Sequence, residues 1–168
     1  MRFPLRGPTT ALVLLTLTAC ASVPAPPRTS ADALVGAWRS SVQFESGAFA
    51  SVKDMEFLYV LNAGGTMTES SNYDGAPPGP PAYGIWRQVG AGEYEAQYEF
   101  YSTAAPQDLS DLTMGGGWMP AGRGVLTERL TIAGDGRSFS SRIHFVAFDR
   151  LWNAGGGEAT GQGKRIGF

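Results

Sequence analysis

Glu93-Tyr94-Glu95-Ala96-Gln97-Tyr98-Glu99-Phe100-Tyr101-Ser102 is the stretch that decides the fold class. Tyr94, Ala96, Tyr98 and Phe100 alternate with Glu93, Glu95, Gln97 and Glu99. A period of two puts all four apolar residues on one face of a strand and all four polar ones on the other. One face therefore belongs to a core and the other to water.

The same pattern recurs on both sides of this stretch. Segments at Ala37–Phe44, Val52–Leu61, Thr66–Tyr73, Tyr83–Val89, Gly124–Ala133, Ser138–Phe148 and Glu158–Ile166 are short and bounded by Gly, Asn, Asp or Pro. Met55, Phe57, Tyr59 and Leu61 share one face of the second; Phe139, Ile143, Phe145 and Ala147 share one face of the seventh. No stretch of normal helical length is amphipathic. With Glu93–Ser102 the segments number eight, which reads as an all-β barrel or sandwich.

The links between segments choose between the two. Asn62–Gly65, Gly90–Gly92 and Gly134–Arg137 are tight hairpin turns. Glu45–Ser51, Asp74–Ala82, Thr103–Arg123 and Asp149–Gly157 are long. Successive links of a meander fall at opposite ends, so the short turns gather at one end and the long links at the other. That sorting predicts an eight-stranded antiparallel up-and-down barrel, whose closure leaves no exposed strand edge.

The N-terminal region reads differently. Arg2 and Arg6 precede an apolar run from Ala11 to Leu17, and Leu17-Thr18-Ala19-Cys20 follows. A charged head, a short apolar segment and small residues make a secretory signal. The run falls short of the roughly 20 apolar residues a membrane-spanning helix needs. Cys20 is the only cysteine of the 168 residues, so it has no disulfide partner in the chain. Residues 21–33 are small, polar and Pro-rich, and are expected to form a disordered tether reaching up to roughly 40 Å. The expected organisation is a signal peptide over 1–19, Cys20 with its tether over 20–33, and the barrel over 34–168.

Leu17-Thr18-Ala19-Cys20 resembles the bacterial lipobox. The resemblance implies that Cys20 is lipidated and becomes the mature N-terminus, with the bacterial cell envelope as location and the membrane as a partner through the anchor. Ala21, in place of an Asp, leans towards the periplasmic side of the outer membrane. Two or more acyl chains give a stable anchor, at about 0.8 kcal/mol per buried methylene.

A second resemblance lies at the two ends of the barrel. Gly36-Ala37-Trp38 at the start and Lys164-Arg165 at the end are similar to the Gly-x-Trp opening and late basic residue of the lipocalin (calycin) superfamily. The resemblance implies that Trp38 closes the base with Arg165 packed over its indole. Antiparallel pairing of the first and last strands would bring both residues to the same end. Ala159, Gly161 and Gly163, on the face of Arg165, would leave room for the indole. Several short motifs, among them Gly84-Ile85-Trp86-Arg87, also resemble uncharacterised small barrel proteins, which imply no function.

Composition excludes several chemistries. Formal charge is −2, and the signal region holds two basic residues and no acid, so no basic stripe for nucleic acid is present. His144 is the single histidine and Cys20 the single cysteine, too few for a His/Cys zinc site. His144 falls on the face opposite Ile143 and Phe145, where a surface histidine is the expectation and a catalytic triad is not. Gly163-Lys164 lacks the rest of a P-loop. The glycine triplets at 115–117 and 155–157 precede no helix and read as loop glycines, not as dinucleotide sites. No cofactor, metal site or catalytic residue is assigned.

The end with long links is the candidate mouth. It gathers Phe49, Tyr73, Met114, Trp118, Met119 and Trp152. These either present an adaptable apolar contact surface or fold inward as a plug. Phe57, Tyr59, Tyr98, Phe100, Leu130 and Ile132 are expected wall residues. Glu128 shares a face with Leu126 and Leu130; pointing inward, it would need a partner such as Arg87 or Tyr98. The residues expected to touch a ligand are thus Phe57, Tyr59, Tyr73, Tyr98, Met114, Trp118, Met119, Glu128 and Trp152. Three functions compete: a carrier of a small apolar or amphipathic ligand, a filled barrel serving as a structural or protein-interaction module, and, least favoured, an isomerase or cyclase using Glu128 or Tyr98. An eight-stranded barrel is either just filled by side chains or holds one small ligand.

Overall fold

The computed structural model describes residues 33–73, 80–106, 108, 110, 119–151 and 153–168. Eight strands follow in chain order: β1 (Gly36–Phe44), β2 (Met55–Leu61), β3 (Thr66–Ser71), β4 (Ala82–Gly90), β5 (Glu93–Ala104), β6 (Met119–Ile132), β7 (Ser138–Asp149) and β8 (Ala154–Arg165). Each pairs antiparallel with the next, and β8 returns to pair with β1. The chain is a closed eight-stranded up-and-down barrel, the architecture expected from alternation and link length. Inward faces carry the core: Met55, Phe57, Tyr59 and Leu61 of β2 are buried, as are Tyr94, Ala96 and Tyr98 of β5.

The closing seam has a definite chemistry. Trp38 lies opposite Arg165 in the β1–β8 register. The Arg165 guanidinium sits 4.1 Å from the centroid of the Trp38 ring. Its nitrogens donate to Gly136 O at 2.9 Å, to Val35 O at 2.7 Å and to Ala33 O. The indole is fully buried and donates to Leu34 O at 2.8 Å. Gly36 is required here twice over. Its φ of 137° belongs to a region L side chains avoid, and a Cβ would stand 2.6 Å from Arg165 Nη1.

Three differences from the sequence reading share one physical cause. β6 starts at Met119 and β8 at Ala154, both earlier than their glycines led us to expect. Gly155, Gly156 and Gly157, expected in a loop, lie inside β8, and Gly156 and Gly157 sit where another backbone passes closely, while the triplet 115–117 lies outside the described residues. A Cβ on Gly124 would meet the Phe100 ring at 2.4 Å, and one on Gly157 would meet Ser46 O at 2.2 Å. The β7–β8 link is therefore short, since β7 ends at Asp149 and β8 starts at Ala154. The Asp149 carboxylate holds it, accepting from Leu151 N at 2.7 Å and Asn153 N at 2.9 Å. Gly163 makes room for Phe139, whose ring comes within 2.2 Å of a notional Cβ; Phe139 in turn packs on Trp38 at 5.2 Å. The indole is thus reached through Phe139.

Arg165→Lys should lower the unfolding free energy by about 1–2 kcal/mol, because an ammonium can neither stack flat nor serve three carbonyls from one plane. Urea unfolding of the variant beside the wild-type chain reads this; equal midpoints would show that the stack contributes nothing.

Candidate ligand-binding site

Side chains fill the barrel in layers from base to mouth. Trp38 and Phe139 close the base. Above them lies a polar layer, fully enclosed. Glu128 of β6 has no exposure, and its Oε2 accepts from Tyr98 Oη at 2.8 Å and Tyr59 Oη at 3.1 Å. Tyr59 and Tyr98 meet edge to face at 6.1 Å. Ser40, Ser141 and the Glu128 carboxylate converge on Gly161, where a Cβ would come 2.4 Å from Ser141 Oγ and 3.1 Å from Ser40 Oγ. Ser141 Oγ stands beside the carboxylate, outside strict hydrogen-bond geometry.

Burial governs the electrostatics of this layer. It pushes the Glu128 carboxyl above its ordinary range, against the opposing pull of Ser141, Tyr98 and Tyr59. Burial, and then the negative charge of Glu128, hold both phenols well above the ordinary phenol value. Tyr59 and Tyr98 therefore stay protonated and act as donors. Arg87 takes no part: it is exposed and pairs with Glu95 at 2.6 Å.

A cavity of about 310 Å³ opens above the polar layer, at the end of the barrel where β1 finishes and β2 starts. Phe44, Phe49, Met55, Phe57, Phe100, Leu126 and Phe145 form its apolar wall. Tyr73, Tyr101, Ser71, Ser102 and Thr103 belong to its lining as well. The β1–β2 link brings Phe49 inward, where it packs against Phe44 at 5.4 Å, Phe145 at 5.5 Å and Tyr73 at 5.3 Å. That link is stitched to β8: Glu45 N donates to Glu158 O at 2.7 Å and Glu158 N to Ser46 Oγ at 3.1 Å. Glu69 of β3 brings a carboxylate to the cavity; it is 6% exposed. Its register neighbours are Tyr59 on β2 and Ala82 on β4.

Among the residues expected from sequence to touch a ligand, Phe57 and Tyr73 line the cavity. Tyr59, Tyr98 and Glu128 do not; they lie buried in the layer beneath it. Met119 is 53% exposed and belongs to a shallow surface groove with Ala104, Pro120 and Leu151. Met114, Trp118, Trp152 and Cys20 lie outside the described residues. His144 is on the outer face, 2.5 Å from Glu158. Glu69 was missed, although its signal was present: Met67 sets the inward parity of β3, and Glu69 and Ser71 share it. No protein-family model matches the chain, and a search of curated proteins finds no significant match.

The buried carboxyl gives stability a pH dependence of known sign. Its raised pKa means that the folded protein holds this proton more tightly than the unfolded chain does. The penalty is absent below the ordinary carboxylate range, grows as pH rises towards the raised value and is complete above it. Relative to Glu128→Gln, the wild-type chain should therefore lose stability as pH rises from about 4. Tyr98→Phe removes a donor from the charged form and should cost about 1.5–3 kcal/mol at neutral pH, less in acid. Urea titrations across that pH range check both, and parallel curves for all three proteins would refute them.

Proposed function

We propose that the chain is an envelope lipoprotein whose barrel binds one small apolar or amphipathic ligand in the mouth cavity. The observation that carries the reading is the cavity itself. Its volume of about 310 Å³ sits at the lower end of small-molecule sites, and its wall is largely aromatic with a few polar groups. The filled lower half gives such a ligand a rigid floor. Leu17-Thr18-Ala19-Cys20 supports anchoring through Cys20, on the periplasmic side of the outer membrane by the lean of Ala21. Ala33 lies at the base, bonded to Arg165, so the chain that leads back to Cys20 joins the barrel at the end opposite the mouth, which supports a mouth free of the anchor.

A filled barrel used for protein interaction is the second reading. Leu58, Val60, Tyr83 and Ile85, all exposed on the outer face of β2–β4, favour it. An isomerase or cyclase working through Glu128 or Tyr98 has less support, since neither side chain reaches the cavity.

Native mass spectrometry of the gently purified protein, with solvent extraction of what it carries, tests the carrier reading. A small hydrophobic molecule should leave with the wild-type protein and be missing from Ser71→Trp, which fills the cavity from β3. An empty wild-type protein that also binds no added amphiphile would refute it. Cys20→Ser should abolish lipid-dependent membrane recovery; unchanged membrane recovery would refute the anchor.

A further inference from the structure

We propose that the mouth cavity selects ligands with a cationic head, an alkylammonium group or a related amine, over fatty acids and other anions. The inference rests on the ligand-binding reading above and adds the chemistry of the head group. Glu69 is the only charged side chain among the described residues lining the cavity. The residue is almost wholly enclosed, at 6% exposure, and Ala82, its small β4 neighbour, also lines the cavity.

The wall adds a second attraction of the same sign. Phe49 is the hub of a tilted aromatic cluster with Phe44, Phe145 and Tyr73. Aromatic faces attract cations, and they do so most strongly away from water. An alkyl tail fits the apolar remainder of the wall.

The layer below acts in the same direction. Glu128 places a second carboxyl under the cavity, held by Tyr98 and Tyr59. No Lys or Arg is among the described lining residues to receive a carboxylate or phosphate. A fatty-acid head entering here would meet Glu69 in a low-dielectric space, where repulsion between like charges is strong.

Three probes of equal tail length separate the possibilities: decyltrimethylammonium, decanol and decanoate. Each is titrated below its micelle concentration at neutral pH, with calorimetry as the readout. The wild-type protein should bind the ammonium at least about tenfold more tightly than decanol, and decanoate more weakly than either. Glu69→Gln should bring the ammonium to within about threefold of decanol. Decanol binding by the variant also shows that its barrel is folded. If that variant does not fold, the wild-type ranking alone decides the matter. Equal binding of all three, or tighter binding of decanoate, overturns the cation preference and leaves the carrier reading standing. A preference for the ammonium that survives in folded Glu69→Gln removes Glu69 as its source and overturns the proposal. Failure of all three probes to bind overturns the carrier reading along with this inference.

Discussion

The barrel depends on the seam between β1 and β8. Everything inside exists because that seam closes, and it closes around a planar cation on a planar ring, Arg165 on Trp38. The guanidinium does three things at once. It covers the indole, joins the chain just before β1 through Val35 and Ala33, and reaches the β6–β7 turn through Gly136. One side chain thereby ties the start of the barrel to its end and to a neighbouring hairpin. An open sheet of these strands would expose two unpaired edges. The absence of a side chain at Gly36 keeps the space for the guanidinium free.

Closure creates an interior that must be filled, and the chain fills it unevenly. The lower half is packed with aromatic rings and capped by a polar layer built on Glu128. A carboxyl with no exposure is costly unless donors meet it, and Tyr98 and Tyr59 do so from β5 and β2. The layer links strands on opposite sides of the barrel through one oxygen. Such a buried network holds a single arrangement of side chains beneath the cavity. The upper half is left open, with Phe49 brought in from a link to complete its wall. Glu69 stands at the meeting of the two halves, near enough to the phenols that its charge acts on both.

Glycine is the spacing element throughout. Gly124 lies under Phe100, Gly163 under Phe139, and Gly161 faces Ser141 and Ser40. Each pairs an empty position on one strand with a large or polar side chain on a neighbour. This lets a narrow barrel carry many rings without overpacking. It also explains why β6 and β8 run through sequences that read locally as turns.

The sequence by itself determined the strands, their order and the inward face of most of them. Burial selects for period-two alternation, and that pattern is written residue by residue, as in Tyr94, Ala96, Tyr98 and Phe100. Tight turns were legible for the same local reason: Gly64-Gly65 and Gly134-Asp135-Gly136 have few other uses. Tertiary structure alone decided where β6 and β8 begin, because a glycine's place in a strand there depends on a ring or a backbone arriving from elsewhere in the chain. It also decided which inward residues meet a ligand. Parity places Tyr59, Glu69, Tyr98 and Glu128 alike on the inner face, yet only height along the barrel axis separates Glu69 in the cavity wall from the other three beneath it. Height is set by strand tilt and register around the closed sheet, and no single strand carries that information.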